Sequence, residues 1–154
     1  MPIGVGTPAP DFELKDQHGQ VVRLSDFRGE RAALLVFYPL AFTGTCQREL
    51  VSLRDNLDHF VNDAVQTLTI SVDSSPTHRV WAEREGYTFP LLADFWPHGE
   101  VARAYDVFNE ERGFANRGTF LVDREGIVRF AEMNPPGEAR DPQGWRTAIA
   151  ALQA

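Results

Sequence analysis

The longest unbroken apolar run, Ala32-Ala33-Leu34-Leu35-Val36-Phe37-Tyr38, stops at Pro39. An apolar segment of this length without alternation is expected of a strand covered on both faces, and it is predicted to be the central strand. From Thr45 the period changes. Cys46, Leu50, Leu53, Leu57 and Phe60 are spaced four, three, four and three apart, which is one face of a helix with Cys46 at the head of its inward stripe. Val65 to Val72 alternates as a second strand, and Ser75-Pro76 opens a helix through Glu85, with Pro at its first position and Gly86 closing it. Ahead of this unit, Asp11 to Asp26 reads as a hairpin at the edge of a sheet: Phe12-Glu13-Leu14, a turn at Asp16-Gln17-His18-Gly19, then Val21 to Leu24. Beyond it come a short strand at Phe89-Pro90-Leu91-Leu92, a short helix from Gly99 to Tyr105 and the loop Phe95-Trp96-Pro97-His98-Gly99 between them, which together look like an insertion. Thr119 to Asp123 and Ile127 to Met133 flank Arg124-Glu125-Gly126 as a hairpin, and a closing helix carrying Trp145, Ile149 and Leu152 runs from Asp141 to the end.

The order βαβα followed by ββα predicts a thioredoxin-like α/β fold: a central mixed sheet flanked by helices, with an N-terminal β-hairpin extension, as one domain over residues 1–154. A domain of this length buries roughly 70% of its unfolded surface, so it needs neither disulfides nor a structural metal. The 22 acidic and 15 basic side chains, a formal charge of −7, argue against a nucleic-acid or anionic-membrane surface. Met1-Pro2-Ile3-Gly4-Val5-Gly6 has no basic stretch leading into an apolar run, and no segment approaches the ~20 apolar residues of a membrane span, so neither signal peptide nor anchor is expected. A cytoplasmic protein is the expectation. The single cysteine, Cys46, is then a free thiol to be judged by its surroundings.

Thr43-Gly44-Thr45-Cys46 falls between the central strand and the helix, at the carboxyl edge of the sheet where open α/β folds place ligands, with Thr43 and Thr45 as candidate N-caps. A thiolate is the nucleophile, and a helix N-terminus favours it by about 0.3 to 2 kcal/mol. Desolvation of a charge on an inward stripe opposes it by up to ~3 to 5 pKa units, so a functional thiolate here needs a cation supplied from outside the helix. Arg48 is two residues on and faces away. Arg117 is the better candidate, because a strand from Thr119 running antiparallel to Ala32–Tyr38 would begin at the edge where the central strand ends.

Pro39-Leu40-Ala41-Phe42-Thr43-Gly44-Thr45-Cys46 resembles the P-x-x-x-T-x-x-C signature of the peroxiredoxins, thiol peroxidases built on a thioredoxin fold. The resemblance extends to Ala9-Pro10-Asp11-Phe12, Phe89 to Asp94 and Arg117 to Asp123, in family order, and is nearest to the one-cysteine alkyl hydroperoxide reductase E type, given Phe95 to Gly99 and Asn116-Arg117-Gly118. It implies that Cys46 attacks hydrogen peroxide, an alkyl hydroperoxide or peroxynitrite and becomes sulfenic acid. It further implies that Thr43 and Arg117 orient and polarise the peroxide, that Pro39 shields the pocket, and that Glu49 holds the arginine. Thr45 stands where many relatives have Val, and the second cysteine of other members is missing. Without a resolving cysteine the sulfenic acid needs an external thiol or it climbs irreversibly toward sulfonic acid. The resemblance points to a low-molecular-weight thiol with a glutaredoxin-like or mycoredoxin-like reductase, and to a homodimer. Fixed donors at the breaking O–O bond, namely the Thr43 hydroxyl, the Cys46 amide and the Arg117 fork, explain these residue types, because lowering a thiol's pKa also lowers its nucleophilicity.

Blander readings stand beside these. Cys46 alone would read as an inert core thiol, Arg117 as a surface arginine, and Thr43 as only an N-cap. His18, His59, His78 and His98 lack metal-ligand spacing and read as solvated or loop histidines, so neither metal nor cofactor is expected. Gly4-x-Gly6 has no strand before it and is no dinucleotide fingerprint. Phe95 and Trp96 read either as a pocket wall or as a dimer contact. Two other classes of function remain: a thiol-disulfide oxidoreductase, which Cys46-Gln47-Arg48-Glu49 opposes for want of a second cysteine, and a non-enzymatic redox sensor or binding module in which oxidised Cys46 alters a partner surface.

Overall fold

The computed structural model describes residues 2–153; Met1 and Ala154, at the ends of the predicted N-terminal stretch and closing helix, lie outside the described residues. The chain opens with a hairpin of β1 (Glu13–Lys15) and β2 (Val21–Arg23), then runs into β3 (Ala32–Phe37), α1 (Gly44–Asp55), α2 (Leu57–Phe60), β4 (Val65–Ser71), α3 (Ser75–Glu85) and β5 (Leu91–Ala93). There follow α4 (Glu100–Ala104), a small ribbon of β6 (Phe108–Asn109) and β7 (Phe114–Ala115), then β8 (Arg117–Val122), β9 (Val128–Asn134) and α5 (Pro142–Gln153). Seven strands form one sheet in the order β2-β1-β5-β4-β3-β8-β9. The pattern-based order of elements and the edge position of the hairpin are both found.

β3 is the predicted central strand. It pairs parallel with β4 and antiparallel with β8, and all six of its residues are buried. Alternation of side chains across the pleat splits the core in two. Leu34, Val36 and Tyr38 face α1, α3 and α5 through Cys46, Leu50, Leu53, Trp81, Trp145 and Ile149. Ala33, Leu35 and Phe37 face the other layer, with Val101, Tyr105, Val107 and Phe120. The strand leading to the loop before α1 is thus fixed from both sides, which gives the loop a rigid base.

Several details differ from the pattern reading. The predicted helical stripe from Cys46 to Phe60 is interrupted at Asn56 (φ −124°, ψ 35°), whose side chain donates to the Ser52 carbonyl at 2.9 Å and competes with continuation of the helix. Leu57 is consequently only half-buried, while Glu49 joins the inward face of α1. Leu152 is exposed rather than inward, because the core-facing side of α5 is formed by Trp145 and Ile149 with Ala148 beside them. Ser74 supplies the N-cap of α3, accepting from the Thr77 amide, so Pro76 sits one position later than predicted. The β6–β7 ribbon, two residues per strand, was too short to register as a pattern.

His78 corrects the reading of the histidines as solvated or in loops. It is fully buried on α3, with Nε2 placed 2.7 Å from Ser71 Oγ and 3.2 Å from Tyr38 Oη. Burial pushes its pKa down to about 4, against the pull of nearby Asp73 and the Leu91 backbone, so the ring is neutral at ordinary pH.

Candidate active site

The sheet brings Cys46 and Arg117 together from 71 residues apart. Thr43, in extended conformation at φ −100° and ψ 149°, is the residue at which the chain enters α1, and Cys46 is the third residue of the helix. Val36 of β3 lies opposite Thr119 of β8, so Arg117, two residues earlier on β8, arrives at the edge where β3 ends. Its strand begins two residues earlier than the pattern indicated. Gly118 lets the segment pass closely under Val107, since a Cβ there would stand 2.7 Å from Val107 Cγ1.

The Arg117 fork uses three of its nitrogens on three different partners. Nη2 donates to Cys46 Sγ at 3.3 Å, Nη1 to Glu49 Oε1 at 2.5 Å, and Nε to the Pro136 carbonyl at 2.7 Å. Cys46 has no exposed surface and Arg117 only 2%. The reading of Arg117 as a surface arginine is thereby removed: a buried guanidinium is aimed at the sulfur. A charge-assisted contact of this kind is what the desolvation argument demanded.

Glu49 is one turn below the thiol, and it holds two arginines. Arg140, which the pattern reading missed, donates to Glu49 through Nε and its own backbone amide at 3.0 Å each and through Nη2 at 2.7 Å. Its Nη1 completes the network on the Gly118 carbonyl and Thr119 Oγ1. Burial pushes the Glu49 carboxyl upward, but the hydrogen bonds and charge of Arg140, with the charge of Arg117, outweigh it and hold the group below the usual carboxylate range. One carboxylate against two guanidinium ions leaves a net positive cluster behind the sulfur. Arg140 lies in the segment after Pro135-Pro136-Gly137, where nothing local marks it; only the fold carries it to Glu49.

Thr43 and Pro39 occupy the same loop without joining this cluster. Pro39 is buried at the exit of β3, whereas Thr43 is exposed and its hydroxyl donates to the Leu40 carbonyl at 2.7 Å instead of capping the helix. The first amides of α1, which have no partner inside the helix, are therefore not covered by that side chain. Thr45, the other candidate cap, accepts from Arg48 at 3.1 Å, and Arg48 is exposed as expected. Phe95 and Trp96 are 54% and 82% exposed and line a groove with Leu14, Val21 and Pro76, away from the thiol.

A thioredoxin-like α/β sheet presenting a single buried cysteine at a helix N-terminus, under a buried arginine, defines a class of thiol enzymes. The AhpC/TSA family model matches residues 5–131, and the chain belongs to that family, a peroxiredoxin with one cysteine. It is 60% identical over 152 residues, 99% of each chain, to the alkyl hydroperoxide reductase E of Mycobacterium tuberculosis and of Mycobacterium bovis. Among solved structures, the reduced 2-Cys peroxiredoxin of Plasmodium vivax superposes with a TM-score of 0.87 at 31% identity, covering 99% of this chain and 83% of the other. The peroxidoxin BcpB of Mycobacterium tuberculosis does so with 0.83 at 29% identity, covering 98% and 97%.

Proposed function

We propose that the chain, acting as one domain over residues 1–154, is a one-cysteine thiol peroxidase that reduces hydrogen peroxide, alkyl hydroperoxides or peroxynitrite through Cys46. The observation that carries this reading is the Arg117 Nη2 contact to Cys46 Sγ at 3.3 Å, inside a buried cluster of net positive charge. The Cys46 thiolate attacks the distal oxygen of ROOH; the S–O bond forms as the O–O bond breaks, and RO⁻ leaves and takes a proton as ROH. Cys46 becomes sulfenic acid.

Charge develops on both oxygens during that step, so donors fixed around them favour the transition state over the ground state. Arg117 and the Cys46 amide are two such donors. The Thr43 hydroxyl is the third, exchanging its Leu40 carbonyl for the peroxide. Pro39 keeps water from the pocket, and Glu49 acts on the peroxide only through Arg117.

Recycling uses two external thiols: the first condenses with the sulfenic acid and releases water, and the second displaces Cys46 from the mixed disulfide. A low-molecular-weight thiol, served by a glutaredoxin-like or mycoredoxin-like reductase, is the reductant proposed, in a cytoplasmic homodimer whose contact uses exposed Phe95 and Trp96.

The test is rapid mixing of reduced protein with an equimolar hydroperoxide, followed by tryptophan emission, with Cys46 sulfenic acid trapped and identified by intact mass. Oxidation orders of magnitude faster than free cysteine, and turnover on adding a thiol, is the expected result. A free-cysteine rate would reject the peroxidase reading, and fast oxidation without turnover would leave a redox sensor in its place.

A further inference from the structure

Asp73 lies two residues beyond the end of β4, outside the thiol–arginine cluster, yet it reaches the loop between β3 and α1. Its Oδ2 accepts the Ala41 amide at 2.8 Å and the Ser71 hydroxyl at 2.6 Å. Ser71 Oγ is in turn 2.7 Å from His78 Nε2, and that nitrogen is 3.2 Å from Tyr38 Oη. Ser71, His78 and Tyr38 are buried, and the Asp73 side chain is 14% exposed. The loop is therefore tied at both of its early positions, at Tyr38 where β3 delivers it and at Ala41 in its middle, to the ends of β4 and α3.

The residue after Ala41 shows why such a tie matters. Phe42 has φ +65°, a left-handed conformation that a bulky side chain keeps only when its surroundings over-determine it. Its ring rests against Trp81 at 5.8 Å, with the Arg84 guanidinium 5.6 Å from its centroid, but it remains 43% exposed. Those ring contacts act on the side chain and place no hydrogen bond on the backbone. The Asp73 carboxylate grips that backbone one residue earlier, through a charge-assisted bond roughly twice as strong as a neutral one. Thr43 and the first turn of α1 follow directly, so the turn at Phe42 decides where the Thr43 hydroxyl and the first amides point.

We propose that Asp73 is a positioning residue for the peroxide reaction: by latching the Ala41 amide it holds the left-handed turn at Phe42, and with it the Thr43 end of α1, closed over Cys46. This rests on the peroxidase reading above. It assigns to Asp73 an effect on two processes of opposite sign. With the latch made, the donors are aligned and the sulfur has no exposed surface, so that a small movement admits peroxide while the larger opening that a bulkier electrophile needs is withheld. With the latch broken, the donors scatter and the sulfur becomes reachable.

Two rates measured on Asp73→Ala and Asp73→Asn test the proposal: stopped-flow oxidation of reduced Cys46 by hydrogen peroxide, and its alkylation by iodoacetamide. The alanine variant is expected to be oxidised about 10- to 100-fold more slowly, the loss associated with misplacing a reacting geometry by an ångström, and to be alkylated faster than wild type. The asparagine variant keeps an acceptor oxygen for Ala41 and should stay within about threefold of wild type on both rates. Wild-type oxidation in the alanine variant, a parallel fall of both rates, or no rescue by asparagine would each overturn it. If the alanine variant does not fold, hydrogen exchange at the Ala41 amide of the wild type decides: protection of about tenfold or more supports the latch and exchange as free as in a peptide overturns it. Wild-type oxidation separates the two levels, because a slow wild type rejects the peroxidase reading itself, whereas a fast wild type with an equally fast alanine variant rejects only the latch.

Discussion

The proposed reaction asks two things of a single guanidinium: to face a sulfur that has no contact with water and to stand as a donor at a peroxide oxygen. Arg117 is placed for both, because its other two partners, Glu49 and the Pro136 carbonyl, fix the plane of the fork while Nη2 points at Cys46. Arg117→Ala should slow Cys46 oxidation by about 10²- to 10³-fold, the loss typical of one preorganised donor. Its effect on urea stability should be the smaller one, because Glu49 keeps the three bonds from Arg140. Unaltered oxidation kinetics would remove Arg117 from the site. Glu49→Gln reverses the balance. Arg117 and Arg140, both buried, would then face each other without a carboxylate, an arrangement expected to cost about 3–5 kcal/mol in urea unfolding, as breaking a buried pair does. The native Glu49 carboxyl titrates below its unfolded value of 4.5, so that stabilisation is present at neutral pH and is lost on acidification below it. An E49Q variant as stable as wild type at pH 7 would show that the carboxylate's charge is not what holds the arginines.

At the scale of elements, two buried groups on the sheet's other connections pull in opposite directions with pH. His78 of α3 titrates at about 4 in the folded protein against 6.5 unfolded, so the unfolded chain binds the proton first and stability falls as pH drops from 6.5 toward 4. Asp94, after β5, caps α4 by accepting the Val101 and Ala102 amides at 3.0 and 2.9 Å, and burial raises it to about 6, so protonation favours the folded state through part of the same window. Each is worth up to about 3 kcal/mol at 1.36 kcal/mol per unit, so the contributions of these two groups should largely offset one another between pH 6 and 4. The difference in urea stability between wild type and His78→Gln should therefore shrink by up to about 3 kcal/mol from pH 7.5 to 4; a constant difference would show that His78 does not charge on unfolding. These elements also show what was legible beforehand. β3 and the start of α1 could be read because an unbroken apolar run and a change of period are local signals. The interior place of His78 is encoded locally as well, in its i, i+3, i+4 stripe with Trp81 and Ala82, a signal that metal-ligand spacing does not carry. The break at Asn56 depends on a side chain competing for one carbonyl, and Arg140 meets Glu49 across 91 residues, which no local period encodes.

For the molecule as a whole, the sheet order separates two surfaces. The thiol, Arg117 and Glu49 sit where β3 and β8 meet α1 at one edge of the strands, while the β1–β2 hairpin forms the opposite flank of the sheet from β9. On that flank Trp96 is 82% and Phe95 54% exposed, beside Val21 at 43%. Side chains of this size in water on a protein of formal charge −7 need a reason, and a contact between copies, proposed above, supplies one. The separation makes the proposal testable without disturbing the chemistry. Trp96→Glu places a charge in the middle of the apolar patch, and burying an unpaired carboxylate in an interface is strongly unfavourable. Sedimentation should show wild-type dimers and E-variant monomers at the same concentration. Single-turnover oxidation of Cys46 by hydrogen peroxide should stay within about twofold of wild type, because no bond of the Arg117–Glu49–Arg140 cluster involves this groove. A variant that remains dimeric would move the interface elsewhere. One that becomes monomeric and also loses its fast oxidation would mean that association holds the catalytic loop in place, joining the two surfaces that the single chain keeps apart.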